Sequence, residues 1–204
     1  MAVYTLKYCN DLIMRKLLLV LCCFSALGIF AQQADYQKAC AKYKKVQSVT
    51  AKCLRVRHRT VVAQDEILYG TFQMVSPDKV NITMDGGKEA LDMQGTAFTM
   101  TMKGKAHKTS SKTNPQFKTF QAVWESILNG GTDLSKINEL EMKKEGADIV
   151  ITITPKVEGK AAKRMMFSSF VLVINGKSGE VKSLCMNEKG QNYTLYTFSD
   201  YQWK

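Results

Sequence analysis

The sequence predicts a mainly β domain with two or three helices, built as a curved antiparallel sheet that forms an incomplete, half-open barrel covered by helices. Three observations carry this. Apolar residues alternate with period two over most of residues 49–104 and again from 147 onward. The turns between these runs are two to four residues long, too short for the crossovers that parallel strands need, so neighbours pair as antiparallel meanders. Two segments alone show helical spacing, and about nine strands are enough for a sheet to curve strongly and leave an open side for a helix to cover.

A leader is expected near the start of the chain. "MRKLLLVLCCFSALGIFAQQ" has a basic start at Arg15 and Lys16, an apolar run from Leu17 to Phe30 and a small residue at Ala31, the pattern of a secretory signal peptide. The run is too short to span a membrane, and Cys22 and Cys23 lie inside it, so cleavage after Ala31 without a lipid anchor is expected. Residues 1–13 read as an upstream extension, 14–31 as the signal and 32–204 as one domain. Removing residues 1–31 takes away three basic residues (Lys7, Arg15, Lys16) and one acidic (Asp11), leaving a net charge of +9 in place of +11.

Only Cys40, Cys53 and Cys185 then remain, and an odd number is no disulfide framework. Each sits beside apolar residues, as small buried hydrophobes do; a Cys40–Cys53 bridge is the competing arrangement.

"ADYQKACAKYKKVQS" sets Tyr36, Ala39, Cys40, Tyr43 and Val46 at helical spacing, with lysines opposite. Strands follow: "SVTAKCLRVRHR", "EILYGTFQMV", "KVNITM", "EALDMQ" and "TAFTMTMKG". Their alternation puts one apolar face together from Leu54 and Val56, then Leu68, Phe72 and Met74, then Val80, Ile82 and Met84, then Leu91 and Met93, then Phe98, Met100 and Met102. "GKAHKTSSKTN" is polar and reads as a long loop. In "NPQFKTFQAVWESILNGG", Asn114 can cap a helix, Pro115 suits its first turn and Gly130 can end it. Phe117, Phe120, Trp124, Ile127 and Leu128 fall along one side of that helix. "ADIVITITPK", "RMMFSSFVLVIN", "EVKSLCMN" and "QNYTLYTFSDYQWK" are further strands, joined in part by the tight turns "NGKSGE" and "NEKGQ".

The order of these segments resembles the periplasmic carriers of outer-membrane lipoproteins, the LolA family. The resemblance rests on the signal peptide, "KVQSVTAKCLRV", "GTFQMVSPDKV", the Trp-bearing middle helix, "ITITPK", "FVLVINGKSGEVKSL" and "GQNYTLYTFSDYQW", from about Ala34 to Trp203. It implies an incomplete antiparallel barrel whose apolar interior accepts the acyl chains of a lipoprotein. It also implies a periplasmic location, cargo received from an inner-membrane ATP-driven exporter, and delivery to an outer-membrane acceptor. The chain departs from the family at Ser76, where an Arg that helps hold the lid closed precedes the turn proline, and at Asn81-Ile82-Thr83, where an aromatic residue is usual. Both departures bear on lid closure and cargo more than on the fold.

The composition of the apolar face agrees. Of the nine methionines after residue 31, Met74, Met84, Met93, Met100 and Met102 fall on it. Methionine is unbranched and polarizable and repacks around varied shapes, which suits a surface that takes up and releases chains of differing length. A permanently filled core more often uses branched residues that fix one packing. Burying a chain of roughly 16 carbons at roughly 0.8 kcal/mol per CH₂ gains on the order of 10 kcal/mol, so a carrier needs a soft lining and an opening step to let it go. The candidate lipid-binding residues are therefore Leu54, Leu68, Phe72, Met74, Val80, Ile82, Met84, Leu91, Met93, Phe98, Met100, Met102, Phe117, Phe120, Trp124 and Leu128. The competing reading of the same residues is an exported interaction or structural module with a filled core.

Other chemistry finds little purchase. His58 and His107 stand in no metal-ligand spacing, Cys53 and His58 would point to opposite faces of a strand, and Ser168 and Ser169 lack a nucleophile-elbow glycine pattern. No catalytic residue, metal or cofactor is expected. No aromatic-basic motif for nucleic acid accompanies the positive charge. Arg55, Arg57 and Arg59, with Lys103, Lys105, Lys108 and Lys112, either face anionic lipid headgroups or an acidic partner, in transient contact with a membrane surface, or form a solvated basic face. A monomer is expected.

Overall fold

The computed structural model describes residues 32–114, 116–136, 138–159, 162 and 165–204. The expected signal peptide, the extension before it and the Pro115 position lie outside the described residues. Eleven strands form one antiparallel sheet: β1 (Ser48–His58), β2 (Glu66–Val75), β3 (Lys79–Met84), β4 (Glu89–Gln94), β5 (Ala97–Met102), β6 (Lys105–Ser110), β7 (Asn138–Glu145), β8 (Asp148–Pro155), β9 (Phe167–Asn175), β10 (Val181–Glu188) and β11 (Tyr193–Trp203). Their spatial order is β6-β5-β4-β3-β2-β1-β11-β10-β9-β8-β7, two meanders joined where the first strand pairs with the last. Helix α1 covers residues 32–40 and continues into a 3₁₀ turn, Ala41–Lys45; helix α2 is Gln116–Leu128.

The sheet does not close, because β6 and β7 are both edges. The chain between those edges carries α2, so the helix must run from one edge to the other across the inner face. At 13 residues and about 1.5 Å per residue it is about 20 Å long, which makes it the cover of the half-open barrel. Phe117, Phe120, Val123, Trp124, Ile127 and Leu128 are all buried against the sheet.

The strand count exceeds the expected nine because both edges were hard to see. The polar stretch expected as a loop contributes β6, paired with β5 from Ala97↔Ser110 to Met102↔Lys105. Polar and lysine-rich residues suit an edge strand, which has one unpaired side to protect from further pairing. The apolar residues β7 turns to the inner side are Leu140 and Met142, opposite Ile153 and Ile151, beside the buried Asn138 and among five charged residues.

Register sorts the inner face into rows. The deepest row on the β1–β5 side is Val49, Met74, Val80, Met93 and Phe98, each paired with the next. The next is Ala51, Phe72, Ile82, Leu91 and Met100, followed by Cys53, Gly70, Met84 and Glu89. Beyond the seam with β11, Phe198 stands opposite Cys53 and Tyr196 opposite Arg55. Thus β1 points Val49, Ala51, Cys53, Arg55 and Arg57 inward. This corrects the expectation for Leu54 and Val56, which lie on the outer face beside Tyr69 and Ile67. The stretch contains two competing alternations, and a pleated strand can present only one of them. The earlier set, Val49, Ala51 and Cys53, wins because it fits under α2.

Gly70 marks the tightest crossing. A Cβ there would lie 1.9 Å from the Thr83 carbonyl oxygen and 2.7 Å from the Met84 sulfur, so β2 and β3 approach more closely than any side chain permits. Gly70→Ala is expected to lower stability by about 3 kcal/mol, read as a shift of the denaturant midpoint at constant m value; a neutral substitution would refute this close approach.

α1 seals the end opposite the β1–β2 hairpin tip. Tyr36 and Ser126 share a hydrogen bond of 2.9 Å, and the Tyr43 hydroxyl donates to the Gly179 carbonyl at 2.9 Å. Cys40, Cys53 and Cys185 are free thiols, so the alternative Cys40–Cys53 bridge is not formed. Burial pushes the thiols of Cys40 and Cys53 up to about 12, and that of Cys185, which is only half-buried, also upward. A raised value means the unreactive thiol form dominates at pH 8. Alkylation at that pH should label Cys185 first and reach Cys40 and Cys53 only on unfolding. Equal labelling of all three in the native protein, followed by mass spectrometry, would contradict the burial.

Candidate functional site

Where the inner rows run out toward the β1–β2 tip, α2 no longer fills the space above the sheet. A cavity of about 300 Å³ remains there, between the ends of β3, β4 and β5, the first turn of α2, and β9 to β11. Its apolar wall includes Met84, Met100, Met102, Met166 and Met186, together with Ile82, Leu91, Phe117, Phe120 and Phe167. Met102 is 49% exposed and Met166 47%, so both stand at the mouth. A second hollow of about 590 Å³, lined mostly by polar residues such as Lys112, Lys118, Gln121 and Glu125, lies along another side of α2 and touches none of the sixteen candidate lipid-binding residues.

The structure divides the sixteen candidate residues three ways. Ile82, Met84, Leu91, Met100, Met102, Phe117 and Phe120 line the cavity. Phe72, Met74, Val80, Met93, Phe98, Trp124 and Leu128 are buried in the core beneath it, and Leu68 packs against that core. Here Phe72 meets Trp124 at 4.9 Å between ring centroids and Phe98 meets Phe117 at 4.8 Å. Leu54 is on the outer face and belongs to neither group.

Two of the basic residues expected to face lipid headgroups, an acidic partner or solvent stand in the wall of the cavity instead. Arg55, only 4% exposed, and Arg57 turn into the cavity from β1. The Arg55 guanidinium donates from Nη1 to Glu89 at 2.7 Å, its Nη2 lies 3.5 Å from Glu66, and Arg57 Nη1 lies 3.1 Å from the same Glu66 oxygen. Burial works against the Arg55 charge, but the hydrogen bond it donates to Glu89 and the neighbouring Tyr196, Glu89 and Glu66 outweigh it and hold its pKa above the ordinary value. Arg55 is therefore a fixed cation in a mainly apolar wall, beside Arg57 and Glu89. Its Nε and Nη2, and Nε of Arg57, are buried and have no hydrogen-bond partner.

A signal for this cluster was present in the sequence. Glu66 and Glu89 each begin a strand at the position that continues the inward set, Glu66 before Leu68 and Phe72, Glu89 before Leu91 and Met93. Two inward carboxylates need inward cations, and Arg55 and Arg57 on the adjoining strand are the ones in reach. Phe167, Met186 and Tyr196 were missed for another reason: they come from the second meander, and only the β1–β11 seam brings them to the mouth.

No family model matches the chain, and no curated protein matches it. Solved structures of similar shape do exist. One is a putative outer membrane lipoprotein-sorting protein domain from Vibrio parahaemolyticus, 8% identical over 84% of this chain and 92% of the other, with a TM-score of 0.47. Another is a LolA superfamily protein from Nitrosomonas europaea, 9% identical over 84% and 93%, TM-score 0.43. A third is the lipoprotein LppX from Mycobacterium tuberculosis, 12% identical over 85% and 94%, TM-score 0.39. These are likenesses of overall shape, at sequence identities too low to carry residue roles from one chain to another.

Proposed function

We propose that this chain is an exported carrier that binds the acyl chains of lipoproteins in the cavity under α2 and moves them between envelope membranes. The observation that supports this reading best is the concentration of five methionines in the wall of one open cavity, at the place where a branched-residue core would otherwise be continued. Flexible thioethers fill such a space without a ligand and repack around one when it arrives. A volume of about 300 Å³ stands at the lower end of the range for small-molecule sites. A multiply acylated cargo therefore requires α2 or the methionines to shift, which is how the cost of opening would offset part of the gain from burying the chain. The resemblance to the LolA family supplies the rest of the route: an inner-membrane ATP-driven exporter as donor, an outer-membrane acceptor, and the periplasm between. Chemistry on the cargo is no part of this role.

The test is native mass spectrometry of the protein purified from the periplasm of a Gram-negative host expressing the full chain, with organic extraction of whatever is bound. A co-purifying lipoprotein or acylated lipid is the expected result. A protein that carries nothing and also fails to take up a fluorescent lipid would leave the filled-core interaction module as the better account.

A further inference from the structure

We propose that the cavity recognises the oxygen-bearing end of an acyl ligand, a carboxylate or an ester or amide carbonyl, through the free N–H groups of Arg55 and Arg57. This rests on the acyl-binding reading above and adds a polar requirement to it.

The argument begins with donors. A guanidinium carries five N–H groups and no acceptor, and in folded proteins almost every buried one finds a partner. Here three buried nitrogens of the two arginines have none, and both side chains line the cavity. The charges are already matched, since Arg55 and Arg57 stand against Glu66 and Glu89. The same wall carries acceptors on Glu89, Thr101, Gln116 and Tyr196, yet none of them is hydrogen-bonded to these three nitrogens.

These nitrogens are buried from water, so the cost of leaving them unpaired is present before any ligand binds. A hydrocarbon leaves that cost in place, whereas a ligand oxygen that reaches them as the side chains turn removes it. An acyl chain ending in a carbonyl or carboxylate fits both parts of the wall, methylenes against the methionines and oxygens against the arginines. Because the cluster is close to neutral, an ester carbonyl serves as well as a carboxylate in kind, and charge decides only the margin between them.

The experiment uses the processed, delipidated protein and displacement of N-phenyl-1-naphthylamine fluorescence by three probes of similar length delivered from one cosolvent: dodecanoate, methyl dodecanoate and tridecane. Both oxygen-bearing probes should displace the dye at a concentration at least about tenfold below that of the hydrocarbon, the factor expected of one hydrogen bond to a charged donor. That preference should disappear in the double substitution Arg55→Met with Glu89→Met, which removes the buried pair together and so leaves no stranded charge, and should narrow in Arg57→Met. Thermal melting confirms that each variant is folded. Equal displacement by all three probes would overturn the acceptor requirement while leaving acyl binding intact. A preference that survives in both variants would overturn the assignment to these arginines, and a protein that binds neither dye nor probe would overturn both readings at once.

Discussion

Replacing Trp124 by alanine is expected to cost the domain about 3–5 kcal/mol of stability. The indole is fully buried halfway along α2, with ring centroids 4.9 Å from Phe72, 5.9 Å from Phe198 and 6.0 Å from Phe120. Phe72 belongs to β2 and Phe198 to β11, so this one side chain fixes the cover to strands on both sides of β1. Its ring nitrogen is buried without a partner, so no hydrogen bond is lost with it. The cost is packing: a large cavity, and three aromatic contacts each worth about 0.5–1.5 kcal/mol beyond area alone. Denaturant unfolding with an unchanged m value is the measurement. A loss below about 1 kcal/mol would mean that α2 is held at its ends alone and leaves the sheet readily, a movable lid along its whole length. The full loss would restrict motion to the first turn, where Phe117 and Phe120 meet the cavity.

That distinction between a packed and an open part of one apolar face shows what the sequence could and could not convey. Alternation identified the inward sets of β2, β3, β4 and β5, because each strand is apolar on one side and polar on the other, and tight turns between them left only antiparallel pairing. Alternation repeats every two residues, however, and says nothing of depth. Met93 and Leu91 belong to the same set on β4, yet one is paired with Phe98 in the core and the other with Met100 at the cavity. Depth is set by where α2 crosses, which is a long-range consequence of the β6 and β7 edges. Those edges were the strands least visible, since an edge strand needs fewer apolar residues than a central one. On β1 the two interleaved patterns gave the wrong face to Leu54, and with it concealed the inward arginines. A polar residue at an inward position is legible only when its partner's direction is known.

Met100 and Met93 turn this geometry into a paired prediction of opposite outcomes. Met100 lines the cavity and is partly exposed, so a glutamate there can keep its carboxylate in water at the mouth and leave the fold intact, with a stability change of about 1 kcal/mol or less. An acyl chain entering the same space would have to strip that water and compete with the new carboxylate for the Arg55 and Arg57 N–H groups; desolvating the carboxylate costs several kcal/mol, a large part of the roughly 10 kcal/mol a long chain gains by burial. Met100→Glu should therefore fold normally and lose lipid uptake by about a hundredfold or more. Met93 is 1% exposed, one row deeper, between Val80 and Phe98. Met93→Glu has no water to reach and should cost upward of about 4 kcal/mol, leaving little folded protein to assay. The comparison needs a fluorescent-lipid uptake assay and a melting curve for each variant. If Met100→Glu unfolds as Met93→Glu does, the space is core and not a cavity that opens; if it folds and still takes up lipid, the chain lies elsewhere on the protein. Only a folded Met100→Glu that has lost uptake, beside an unfolded Met93→Glu, matches a barrel that is solid beneath and receptive at its mouth.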